Sequence, residues 1–221
     1  MAKHLPLPMI LLLLGCAVAA VPLHADEIDP NDPRVPGYLN VRARANYVDP
    51  TQPYWEGFDL KNQGQCSEAI DKLGPLASRG RGFEEAQHAY GICLMRLGGL
   101  PAEAGAPPPR TQLFSNPQFR EGVDWVHRAA NANSFRAQRT LVALYAAGLG
   151  PDVDPVEAGK WLHLYRINPI RLGLGAGIEE EEAFAAFDQS LPLPIRLEGR
   201  ERARNWVPSY WQIPSVQSGG Q

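Results

Sequence analysis

Several features that mark an enzyme or a nucleic-acid-binding protein are missing from this 221-residue sequence. It contains no nucleophile elbow, no phosphate-binding loop and no His-Glu-x-x-His zinc helix. The formal net charge is −3, and no block of lysine or arginine is present that would attract nucleic acid. These absences favour a non-catalytic protein that uses neither a cofactor nor a metal ion.

The N-terminus has the pattern of a secretory signal. Lys3 precedes a short apolar run at 9–14, and no later apolar run reaches transmembrane length. We expect a signal peptide over 1–25 and a periplasmic mature protein. The alternative is a lipoprotein anchored through Cys16, because residues 13–16 are similar to a bacterial lipobox.

An internal repeat dominates the middle of the chain. A Trp is followed two residues later by a His at Trp125 and His127, and again at Trp161 and His163. A period of about 36 residues indicates stacked helical hairpins. The spacing of apolar residues predicts five helices, at about 66–79, 84–97, 118–132, 135–147 and 154–166.

The clearest repeat unit runs over 137–161. Its apolar residues recur at intervals of three and four, as on one face of a helix. Gly and Pro at 148–151 stop this helix, and Asp154 followed by Pro155 starts the next one. We expect the core of the repeats to contain Ala137, Leu141, Tyr145, Gly148, Gly150 and Ala158, together with Trp125 and Trp161.

This layout resembles the Sel-1-like repeat, a variant of the tetratricopeptide repeat. The matching residues are Ala137, Leu141, Tyr145, Gly148, Gly150, Asp154, Ala158 and Trp161. The unit departs from the family pattern at Val142, where Gly is usual, and at Pro151, where Val is usual. The resemblance implies an all-α fold, a short α/α solenoid with a right-handed superhelix, and an adaptor role in the bacterial envelope.

The remaining segments flank or interrupt the repeats. We expect a Pro/Asp-rich irregular arm over 26–65, followed by Sel-1-like repeats over 66–170 with an insertion at 100–117. C-terminal capping helices over 171–206 and a disordered tail over 207–221 complete the chain. The first capping helix has an apolar face of Phe184, Phe187 and Leu191, and a short basic helix at about 198–206 follows it.

Two cysteines, Cys66 and Cys93, remain after loss of the leader. If the helices that carry them form a hairpin, the two side chains lie within about one helical turn of each other. In an oxidising compartment this predicts a disulfide. The alternative is a pair of buried free thiols, and a metal site is disfavoured because neither residue is in a C-x-x-C pair.

The remaining polar and glycine-rich segments are expected to have structural roles and no part in binding or catalysis. We assign His127 and His163 to the surface, at about one helix spacing from each other, which is too far for one metal ion. The carboxylates at 179–182 point around a helix and should be solvated. The glycine-rich stretch 173–177 is interpreted as a hinge.

Three functions remain open. The first is a scaffold whose concave surface binds a protein segment, and the second is an envelope enzyme with weak hydrolase activity. The third is a structural module that stabilises a larger complex, with the aromatic N-terminal arm filling the groove. The expected partner is a protein, and contact with a membrane is expected only if Cys16 is lipidated.

Overall fold

The computed structural model describes residues 52–102, 107–177 and 180–210. Within these ranges the chain forms ten helices and no strand, so the described part is all-α, as predicted. The helices are α1 Gln52–Asn62, α2 Cys66–Ala77, α3 Glu84–Leu97, α4 Arg110–Ser115, α5 Pro117–Asn131, α6 Phe135–Ala146, α7 Pro155–Ile167, α8 Pro169–Leu174, α9 Glu181–Ser190 and α10 Leu193–Arg204. The predicted signal peptide, Cys16 and most of the predicted arm lie outside the described residues.

The five helices predicted from apolar spacing correspond to α2, α3, α5, α6 and α7, with every end within two residues of its predicted position. Local capping explains this agreement. The Ser134 hydroxyl accepts from the backbone N–H of Ala137, and Asp154 Oδ1 accepts from the N–H of Val156 at 2.9 Å. Gly148 has a φ of +71°, the left-handed conformation that ends α6.

Other elements differ from the sequence expectations. Helix α1 lies in the segment that was predicted to be irregular, and the short helix α4 lies in the predicted insertion. Helix α10 begins at Leu193, about five residues earlier than the predicted basic helix. Pro194 lies in the first turn of this helix, where proline is tolerated.

The helices pack in chain order. Helix α1 packs on α2, α2 on α3, α3 on α5, α5 on α6, α6 on α7, and α7 on α10. Alternate helices also touch, because α1 contacts α3 and α3 contacts α6. These three helices therefore form a row, here called the α1/α3/α6 row.

The main apolar core is centred on Trp161, which is fully buried and packs against the rings of His127 and Trp206. Phe184 and Phe187 of α9 pack against the same core. Such contacts cover the apolar face of the last repeat hairpin.

The chain that follows α10 returns to the first half of the molecule. The indole of Trp206 donates to Asn131 Oδ1, and the N–H of Ser209 donates to the carbonyl of Asn131 at 2.8 Å. The guanidinium of Arg81, between α2 and α3, lies 4.4 Å from the ring centroid of Tyr210. Residues 207–210 are thus held in place, although the sequence predicted a disordered tail from 207 onwards, and 211–221 lie outside the described residues.

The predicted disulfide between Cys66 and Cys93 is not formed in the structure. Both residues are buried free thiols. They belong to one buried apolar cluster formed by α2 and α3, in which the Cys66 thiol is a neighbour of Cys93. Burial, and secondly this neighbouring thiol, raise the pKa of Cys93.

Candidate binding surface

The α1/α3/α6 row is held in register by polar side chains. Glu85, in the first turn of α3, accepts hydrogen bonds from Ser134 and Arg136 at the start of α6, at 2.8 and 3.2 Å. One turn further along both helices, His88 Nε2 lies 2.9 Å from Thr140 Oγ1. Two contacts at matching heights show that α3 and α6 run in the same direction.

Helix α1 continues the row on the other side of α3. The Arg96 guanidinium, near the end of α3, donates to the carbonyl of Lys61, near the end of α1, at 2.9 Å. At the opposite end, Tyr54 and Ala86 line one small cavity. The starts of α1 and α3 therefore lie together, as do their ends, and all three helices of the row are parallel.

His88 is a buried ionisable group of this row. Its pKa lies well below the usual range, first because burial removes the imidazole from water and then because Lys61, Arg136 and Arg139 are close. The hydroxyl of Thr140 donates its one proton to the carbonyl of Arg136, at 3.1 Å. The lowered pKa keeps His88 neutral, so its imidazole links α3 and α6 as an uncharged hydrogen-bonding partner of Thr140.

Two of the four carboxylates at 179–182, which were expected to be solvated, are instead held by arginines. Glu180 pairs with Arg139 of α6. Glu181 accepts from Arg171 at 3.1 Å and pairs with Arg166. The expectation was wrong for these two because it treated the carboxylates as part of an isolated helix. In the structure, arginines of α6, α7 and α8 lie beside them.

Arg171 is a buried charged residue, with only 4% of its surface exposed, and the sequence analysis did not predict a structural role for it. Its guanidinium lies 4.5 Å from the ring centroid of Tyr165 and donates to the carbonyls of Arg166 and Gly177, at 3.1 and 3.2 Å. One end of the glycine-rich stretch 173–177, interpreted as a hinge, is therefore tied to the core.

Two glutamines with equivalent roles were also missed. Gln87 Nε2 donates to the carbonyl of Ala77 at 3.1 Å, and Gln138 Nε2 donates to that of Ala130 at 3.4 Å. Each therefore ties its helix to the last turn of the preceding one. The signal was present in the sequence, because both glutamines follow the alanine that opens a repeat unit. Asn168 completes the second site by donating to Gln138 Oε1 at 3.0 Å.

The predicted repeat-core residues take different places. Ala137, Leu141, Ala158, Trp125 and Trp161 are buried. Gly150 is also buried, beside the half-buried ring of Tyr145, whose hydroxyl donates to Asp152 at 2.9 Å. Gly148 is exposed, so its part in the repeat is to end a helix.

The assignment of His127 and His163 to the surface was wrong. The His127 ring packs edge-on against Trp161 with centroids 5.4 Å apart, and its Nδ1 lies 3.0 Å from the Asn131 amide nitrogen. Burial lowers the pKa of both histidines, and at His163 the arginines of α7 and α10 lower it further. Both side chains are half-buried because neighbouring elements cover positions that look exposed on a single helix.

In the described ranges, no three or more His, Cys, Asp or Glu residues are placed to hold a metal ion. No described helix has both the length and the apolar character needed to cross a membrane. No protein-family model, curated protein or solved structure matches the chain.

Proposed function

We propose that this protein is an exported, non-catalytic scaffold of Sel-1-like helical repeats that binds a protein segment along the α1/α3/α6 row. The observation that carries the proposal is the parallel, in-register arrangement of these three helices. In arrays of helical hairpins, equivalent helices of successive units line one continuous surface, and such surfaces serve for binding.

The packing order supports a short solenoid. The hairpins are α1 with α2, α3 with α5 and α6 with α7, and α10 closes the series by packing on α7. We infer that small rotations between these units give a right-handed superhelix with the row on its concave side. The equivalent positions of Gln87 and Gln138 support the same repeat boundaries.

The side chains along the row favour a polar, extended ligand. Glu85, Arg136, Arg139 and Lys61 place charges of both signs within a short distance of His88. A peptide with mixed charges would meet complementary groups there, and charge complementarity sets the orientation and specificity of such complexes. The exposed Ala143, one turn beyond Thr140 on the same side of α6, leaves space beside them.

Site-specific photo-crosslinking tests the proposal. A benzoylphenylalanine replaces Ala143 in the row, and a matched probe replaces Asp124, which is exposed on α5 outside the row. We expect the Ala143 probe alone to crosslink a discrete protein in the envelope fraction. Equal products from both probes, or products from Asp124 alone, would contradict the proposal.

Export is a separate part of the proposal. Mass spectrometry of the mature protein should show an N-terminus at Asp26. An acylated N-terminus at Cys16 would identify the lipoprotein form instead, and retention of Met1 would overturn export.

A further inference from the structure

A second surface, formed by α7, α10 and Trp206 outside the α1/α3/α6 row, combines an aromatic ring with fixed polar groups. A cleft of about 440 Å³ opens between α7 and α10. It lies beside the point where Gly159 and Gly199 let the two helices cross closely, since a Cβ on Gly199 would stand 2.8 Å from the carbonyl carbon of Gly159. The cleft is shallow and open to solvent, so a ligand would lie against its walls without being enclosed.

Trp206 supplies the aromatic part of this cleft. The indole lines the cavity, is half-buried and packs against Trp161 with centroids 6.5 Å apart and an interplanar angle of 72°. Its Nε1 donates to Asn131 Oδ1 at 3.4 Å. The ring is therefore fixed in position, which lowers the entropic cost of stacking a ligand on it.

The polar wall is equally well fixed. Arg202 donates to Glu157 and Glu198 at 3.1 and 3.0 Å, and Lys160 donates to the second oxygen of Glu157 at 2.7 Å. Glu201, on the same wall, accepts from Asn205 at 3.1 Å. These groups provide hydrogen-bond donors and acceptors in a set arrangement.

The balance of charge narrows the class of ligand. Three carboxylates, on Glu157, Glu198 and Glu201, face two cations, on Lys160 and Arg202. Each of these charges is already paired, because Arg204 donates to Glu201 and Arg202 also donates to Asp154, both at 2.7 Å. An ionic ligand of either sign would have to compete with these pairs, so the cleft favours a neutral one. No large aliphatic side chain lines the cleft, which disfavours an apolar ligand.

We propose that this cleft binds a neutral saccharide of one or two rings. A sugar ring has an apolar C–H face that can lie on the indole of Trp206, and hydroxyls at its rim that can bond to carboxylate, guanidinium and amide groups. The site is independent of the α1/α3/α6 row, so the scaffold function can fail without affecting it.

Titration with cellobiose, maltose and N,N′-diacetylchitobiose, followed by NMR of the indole N–H groups and by calorimetry, tests the proposal. At least one of these sugars should shift the Trp206 signal saturably. Trp206→Ala should weaken binding by about tenfold or more, which corresponds to about 1.4 kcal/mol. Glu201→Ala, at an exposed position, should weaken it severalfold without lowering the melting temperature.

Glu68→Ala is the matched control, because it removes an exposed carboxylate from α2, a helix that does not line the cleft. Its affinity should equal that of the wild type. The proposal is overturned if none of the three sugars shifts the Trp206 signal, or if Glu201→Ala binds as tightly as Glu68→Ala. A saturable shift with trilysine or with oligogalacturonate, but with none of the neutral sugars, would overturn it as well.

Discussion

Gly91 of α3 and Gly122 of α5 meet where the two helices cross, with no side chain between the backbones. A Cβ on Gly91 would stand 2.7 Å from the carbonyl oxygen of Gly122, and a Cβ on Gly122 would stand 2.6 Å from the backbone nitrogen of Met95. Carbon atoms cannot approach backbone atoms so closely, so the glycines set the distance between the two helices of this hairpin.

The first prediction concerns this crossing. Gly91→Ala should lower the free energy of unfolding by about 1–3 kcal/mol, because the added methyl group forces the helices apart. Gly173→Ala is the control, since a Cβ there has no neighbour within 4 Å. Urea denaturation measures both variants, and equal stabilities for the two would show that the crossing adapts freely.

The second prediction compares the core with its rim. Trp161→Ala should cost about 3–5 kcal/mol and severely destabilise the protein, because the indole is fully buried. His127→Ala should cost about 1–2 kcal/mol, since its ring packs on Trp161. Val153→Ala, at a residue 82% exposed, serves as the control in thermal melts. A Trp161→Ala protein as stable as this control would remove Trp161 from the core.

The third prediction is a loss of stability in acid. The pKa of His88 is lower in the folded protein than the unfolded value of about 6.5. Above that pH both states are neutral at this residue. As the pH falls below it, the unfolded state binds a proton that the folded state does not, so His88 lowers the free energy of unfolding by up to about 1.4 kcal/mol per pH unit.

Urea denaturation between pH 8 and pH 5 measures this effect, with His88→Gln as the variant that keeps a hydrogen-bonding side chain but cannot be protonated. The acid loss should be smaller in His88→Gln than in the wild type. Identical slopes would show that His88 is protonated equally in both states. The pKa values of His127 and His163 are also lowered. Variants of these two residues show how much of the loss of stability in acid each of them causes.

The fourth prediction concerns the thiols. At pH 8 neither Cys66 nor Cys93 should react with iodoacetamide in the folded protein, because both are buried and the raised pKa of Cys93 leaves little thiolate. In urea without a reductant, both should become labelled. Mass spectrometry counts the labels, and fast labelling of the folded protein would place a thiol at the surface.

The helices of the repeats could be predicted because their signals are local. Apolar spacing, the cap at Asp154 and the stop at Gly148 all lie within a few residues of the helix that they define. Helix α4 has only six residues, which is too short for a clear period, and it escaped prediction.

The contacts that join the units could not be predicted in the same way. The bond between Gln138 and Asn168 links residues 30 positions apart, and the bond between His88 and Thr140 spans 52. A local pattern can mark one member, as the repeat alanine before Gln138 does, but it does not identify the distant partner. The histidines were misassigned for the same reason, because a helical wheel shows one helix and omits the neighbour that covers it.

The returning tail changes how such an array should lose its structure. In a linear series of repeats, each unit touches only its neighbours, so the terminal units fray first and independently. Here, Tyr210 reaches Arg81 beside the first hairpin, while Trp206 remains in the core of the last one. Because the segment after α10 contacts the loop after α2, unfolding of the last hairpin also removes a contact from the first one. The described helices should therefore unfold in a single cooperative transition.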